Sequence, residues 1–184
     1  MQHRGMKARG VAGRIRAALD RSPVVIVEGA RAVGKSTACA AIAQERGFGS
    51  VVDLADAATR AAARRDPSGF LNQLTTPAMI DEVQRVPELT VAIKGAVERP
   101  GSDGQFLLTG SARLARDGLG GSDPLAGRAI TVPVYPFSLS ERWQAAPALQ
   151  RLFEGRLPEP CNWRPGMSEL QRTVPLRVCV PYVR

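Results

Sequence analysis

One stretch, residues 24–37 (VVIVEGARAVGKST), constrains the fold of this chain more than any other. It opens with the apolar, β-branched run Val24, Val25, Ile26 and Val27, followed by Glu28, and reads as a buried parallel strand. GARAVGKS then fits the pattern G-x-x-x-x-G-K-[S/T] at every fixed position. A loop of this kind ends one strand and opens one helix. Its backbone N–H groups and the positive end of the helix converge on a phosphate.

Each position has a chemical reason. Gly29 and Gly34 allow backbone angles and close approaches that a Cβ would block, so that the N–H groups of Ala30, Arg31, Ala32 and Val33 can turn toward anionic oxygens. Lys35 reaches the β and γ phosphates, the Ser36 hydroxyl is a magnesium ligand, and Thr37 bonds phosphate. Lysine is rare in this chain: Lys7, Lys35 and Lys94 are the only ones, and arginine makes up the rest of the 25 basic residues. The loop nonetheless holds Lys, whose compact ammonium suits a phosphate cradle better than a planar fork.

A second constellation is MIDE, residues 79–82. At the end of a strand beside the phosphates, Asp81 would hold the magnesium shell and Glu82 would orient or deprotonate an attacking water. Taken alone, the same residues also read as a strand capped by solvated charge. Thr109-Gly110-Ser111 ends a further strand, where Thr109 or Ser111 could sense the γ phosphate; Ser111 equally suits the N-cap of a following helix, ARLA. Arg128 is a candidate arginine finger acting on a neighbouring subunit's nucleotide, or else a surface arginine. Arg31 and Arg85 read as exposed or structural.

Around these motifs the pattern predicts an amphipathic helix over residues 6–21, covering the sheet edge or the nucleotide base, and a helix over 35–46 that stops at Gly47. Strands follow at 50–54, 78–82, 105–109 and 129–134, and Pro133 suggests a strand end or a sheet edge. Helices are expected over 55–65, ended by Asp66 and Pro67, and over 86–99, with a short helix or turn at 70–76. Strands alternating with helices at these lengths specify a parallel sheet covered on both faces.

Composition bounds the rest. At 184 residues and 44% hydrophobic the chain buries one core. Its net charge of +8 sits at the two ends, since basic and acidic residues balance over residues 22–140. Solvated termini account for it, with contact to DNA or a protein partner as the other reading. Cys39, Cys161 and Cys179 lie far apart beside a single histidine, His3, which argues against a zinc site. No apolar run reaches membrane-spanning length and no secretory signal is evident, so the expectation is a cytoplasmic protein without membrane contact. The layout expected is a basic helix over 1–22, a nucleotide domain over 23–144 and a Pro/Arg-rich irregular tail over 145–184, as in a truncated or misread longer protein.

GARAVGKST, MIDEVQRVPEL, FLLTGSA and LAGRAITVPVYPFSLSE, in that order, resemble the AAA+-type ATP-binding domain of prokaryotic ATPases that usually carry a C-terminal domain of unknown function. The resemblance covers about residues 10–143. It implies an α/β three-layer sandwich of the P-loop NTPase type, with a five-stranded parallel sheet in which the acid strand lies next to strand two and not next to the loop strand. It also implies Mg-ATP as ligand, Lys35 and Ser36 in the loop roles, Asp81 and Glu82 in the magnesium and water roles, and Thr109 or Ser111 as sensor. The function expected is ATP hydrolysis coupled to a partner or a homo-oligomer. Two other readings stay open: a small-molecule kinase with Arg113 and Arg116 in a phosphate-closing lid, and a nucleotide-switched DNA-binding or regulatory module.

Overall fold

The computed structural model describes residues 10–98, 103–111, 124–138 and 141. All of these fall within one compact unit, Met1–Ala145. The expected tail over 145–184, Arg113 and Arg116 lie outside the described residues.

The elements are α1 (Gly10–Leu19), β1 (Val24–Gly29), α2 (Lys35–Glu45), β2 (Ser50–Asp53), α3 (Ala57–Arg65), α4 (Pro67–Asn72), β3 (Ala78–Asp81), a 3-10 turn (Val83–Arg85), α5 (Glu88–Val97), β4 (Phe106–Ser111) and β5 (Ala129–Val134). The five strands form one parallel sheet in the order β2-β3-β4-β1-β5. The acid strand β3 therefore pairs with β2, and β4 separates it from the loop strand β1, the order that the resemblance implies. β5 is an edge, which explains how Pro133 is tolerated: its missing N–H faces away from any ladder partner.

Alternation along each strand divides the core in two. Val25, Val27, Met79, Leu107 and Val132 face α1 and α2, where they meet Val11, Ile15, Leu19, Cys39 and Ile42. Val24, Ile26, Ile80, Phe106 and Leu108 face the other helices and meet Ala63 of α3, Leu71 of α4, and Leu89 and Ile93 of α5. Each fully buried aliphatic side chain contributes about 1.5–3 kcal/mol against exposure, so this three-layer packing fixes the sheet that carries the site. α1 packs against β5 and β1, over the sheet edge.

Some boundaries differ from the sequence pattern for identifiable reasons. Asp66 and Pro67 end α3 as expected, but they also start α4: the Asp66 side chain accepts the Gly69 N–H at 2.8 Å, and Pro67 occupies the first turn, where its missing donor costs nothing. The short helix thus begins at Pro67, three residues before the expected segment. α5 runs over Glu88–Val97, within the helix expected over 86–99, and a 3-10 turn over Val83–Arg85 precedes it. β4 continues through Gly110 and Ser111, so Ser111 ends a strand, and the ARLA segment it was expected to cap lies outside the described residues.

Candidate functional site

The site lies at the C-terminal ends of β1, β3 and β4, where the parallel sheet delivers three consecutive strand ends side by side. β1 runs into the loop and α2 leaves it, so the free N–H groups of the α2 N-terminus open onto this edge. Two loop residues have left-handed backbone, Ala32 at φ 62° and Gly34 at φ 89°. Alternation of this kind turns successive N–H groups into one concavity, a nest for an anion.

Gly29 is required for a reason other than a turn angle. A Cβ there would clash with the Val134 carbonyl oxygen of β5, so glycine permits two backbones to approach. Ala32, by contrast, holds a glycine-like angle that the motif does not reveal.

Lys35 is buried, and its Nζ donates to the carbonyl oxygens of Gly29 at 3.0 Å and Ala30 at 2.9 Å. The ammonium is thus held inside the loop by the loop's own backbone. At the next residue, the Ser36 Oγ donates to Asp81 Oδ1 at 3.0 Å, which places a hydroxyl and a carboxylate, two hard oxygens, against each other. That donor set fits magnesium, which takes one or two protein oxygens and completes its shell with phosphate and water. Among the described residues no cluster of three or more His, Cys, Asp or Glu could hold a metal by itself.

Thr109 ties the two acids together. It is fully buried, its hydroxyl donates to Asp81 Oδ1, and its Oγ1 accepts the Glu82 N–H at 3.1 Å. Of the two sensor candidates, Thr109 is therefore bonded to the acid strand, while Ser111 is exposed at the end of β4. Glu82 itself lies just past β3 with φ 58° and ψ 41°, an unusual conformation for a residue with a side chain. Its Oε2 accepts from Gln84 Nε2 at 2.5 Å and faces Arg85 Nε at 3.7 Å. Arg85 is thus more than an exposed arginine, and Gln84 is a site residue that sequence reasoning missed. The signal available was its place two residues after the acids, within reach of Glu82 only if the chain turns sharply.

Other residues fall elsewhere. Arg31 and Thr37 are exposed on the loop and the first turn of α2. Arg128 is not brought to the loop of its own chain: it precedes Ala129, which pairs with Val24 at the opposite end of the sheet, and its Nη2 meets Glu98 Oε1 at 3.1 Å. Cys39 on α2 is fully buried, and burial pushes its thiol up to about 12, with Asp81 adding to the rise. Among the described residues no helix is long and apolar enough to cross a membrane.

A family model described as an AAA domain matches residues 21–143, a span that includes the loop, both acids and Thr109. Two uncharacterised proteins, from Mycobacterium bovis and Mycobacterium tuberculosis, are each 37% identical over 159 residues, covering 83% of this chain. The chain spans only 34% of the length of either. Among solved structures, a Walker-type ATPase of Pyrococcus abyssi superposes with a TM-score of 0.57 at 20% identity, over 86% of this chain and 61% of that one. The parallel five-stranded sheet with helices on both faces is that of the P-loop NTPases, and this chain belongs to the AAA domain family.

Proposed function

We propose that this chain binds Mg-ATP on the loop of residues 29–37 and hydrolyses it, and that the nucleotide state changes its hold on a partner or on a second copy of itself. The observation that carries this reading is the convergence of Ser36, Asp81, Thr109 and Glu82 at the mouth of a loop whose lysine is already buried within it.

In this reading the N–H groups of residues 30–37 and the α2 N-terminus bind the β and γ phosphates. Lys35 exchanges the Gly29 and Ala30 carbonyls for phosphate oxygens. Ser36 would hold a magnesium ion directly and Asp81 would hold it through water, and the ion would supply charge neutralisation on the phosphates. Glu82 accepts a proton as the water oxygen bonds to the γ phosphorus and the bond to the bridging oxygen of ADP breaks, giving ADP and phosphate. Thr109 holds Asp81 and the Glu82 backbone in register. Arg128 enters only in trans, on a neighbouring copy's nucleotide, because within the chain it sits at the far end of the sheet beside Glu98.

The test is nucleotide binding and phosphate release by the purified chain beside Lys35→Ala, with and without magnesium and over a range of protein concentrations. Tight Mg-ATP binding and turnover that Lys35→Ala abolishes would support the reading, and a rate per chain that rises with concentration would implicate Arg128 in trans. Phosphoryl transfer to a nucleoside, nucleotide or sugar, in place of release to water, would contradict it in favour of a kinase.

A further inference from the structure

We propose that Gln84 is the positioning residue for Glu82, holding one oxygen of its carboxylate so that the other is presented to the attacking water; this rests on the reading of Glu82 as the base. The geometry comes from the backbone. Glu82 takes a left-handed conformation, its N–H is fixed on Thr109 Oγ1 at 3.1 Å, and its carbonyl accepts the Arg85 N–H at 2.9 Å. Both flanking peptides are pinned, and the sharp turn swings residues 84 and 85 back beside the side chain. Without that turn, Gln84 would be carried away along an extended strand.

The two partners of Glu82 are unequal. Gln84 Nε2 reaches Oε2 at 2.5 Å, whereas the Arg85 Nε stands at 3.7 Å from the same atom and is partly exposed. A contact of that length between partly exposed groups constrains direction weakly, while a direct hydrogen bond fixes it. The Gln84 amide can take only one orientation here, since its oxygen would otherwise face a carboxylate. That leaves Gln84 Oε1 buried with no hydrogen-bond partner among the described residues, so the side chain is a poor choice for stabilising the turn and a good one for aiming a carboxylate. Glu82 Oε1 has no bond to any described residue. One oxygen held and one available is what a general base needs, because its direction must be set without occupying the lone pair that receives the proton. From α3, Arg64 Nη2 donates to the Arg85 carbonyl at 2.8 Å and so braces the far end of the same turn.

The experiment compares wild type with Gln84→Met, which keeps length and removes the donor, in steady-state hydrolysis of Mg-ATP and in nucleotide binding. Gln84→Met is expected to lower kcat about 10-fold or more while KM and nucleotide affinity stay within about twofold, since only the aim of the base is lost. A kcat within about twofold of wild type overturns the proposal, and so does a raised kcat, which would make Gln84 a latch. In parallel, the side-chain amide resonances of Gln84 are followed by NMR in wild type and Glu82→Ala; they are expected to shift, and no shift means that the contact does not form. Wild type without turnover but with the shift removes the ATPase reading and the positioning role together, whereas normal turnover without the shift removes the positioning role alone.

Discussion

The Thr109 hydroxyl donates to the Asp81 carboxylate from a fully buried position and, through the same oxygen, accepts the Glu82 N–H. One side chain of β4 therefore sets the place of Asp81, the last residue of β3, and of Glu82 just past it. Thr109→Val keeps the shape and removes the hydroxyl, leaving a buried N–H without its partner. We expect a loss of about 1–3 kcal/mol in denaturant unfolding, and a fall in turnover larger than any fall in nucleotide affinity. Thr109→Ser should recover most of both. A Thr109→Val chain with wild-type turnover would show that this bridge has no part in the chemistry.

Gly29 makes a similar case at the loop. Because a Cβ would meet the Val134 carbonyl oxygen, Gly29→Ala must push β5 away from β1 or distort the loop. The expected cost is about 1–3 kcal/mol, with weakened ATP binding by calorimetry. Unchanged stability would mean that the edge strand shifts freely, and that the glycine answers to the nucleotide alone.

Ala32 offers the opposite substitution. Its φ of 62° is strained for a residue with a Cβ, so Ala32→Gly relieves about 1 kcal/mol of strain, while the glycine adds roughly 0.5–1 kcal/mol of backbone freedom to the unfolded chain. The two nearly cancel. Thermal unfolding of Ala32→Gly should stay within about 1 kcal/mol of wild type with ATP affinity retained, and a larger destabilisation would mean that the alanine methyl packs in a way its backbone angle does not suggest.

Cys39 gives a pH signature. Its thiol, raised by burial to about 12 from an ordinary 9.0, stays protonated in the folded chain while the unfolded chain begins to ionise. Its contribution to stability is therefore whole below about pH 9 and lost as pH rises toward about 12. Cys39→Ala removes that term, so the stability advantage of wild type over Cys39→Ala should shrink between about pH 8 and pH 10.5 in urea unfolding. A constant difference would show that the thiol ionises alike in both states.

What could be read from the residues, and what could not, follows from how local each feature is. β1, the loop and α2 are legible because glycine, lysine and serine at fixed spacing have one common backbone solution. The edge position of β5 is legible through Pro133, which cannot donate to a central ladder. Pro67 ends α3 as a terminator should, but the same residue also suits the first turn of a new helix, and only the Asp66 cap reveals that second role. The left-handed turn at Glu82 has no local signature: it depends on Thr109, 27 residues away in sequence, receiving the Glu82 N–H. The place of Gln84 beside the carboxylate follows from that turn and is hidden with it. Likewise the demand for glycine at position 29 comes from Val134, a strand contact that no motif encodes.

The most direct measurement separates binding from chemistry at Glu82. Wild type and Glu82→Gln are each mixed with Mg-ATP at protein in excess, following nucleotide bound and phosphate released in a single turnover. Glu82→Gln should bind ATP within about threefold of wild type and release phosphate at least about 100-fold more slowly, because it keeps the size of the side chain and loses the base. Equal rates of phosphate release in the two chains would contradict the assignment of Glu82, and with it the ATPase mechanism drawn from this strand end.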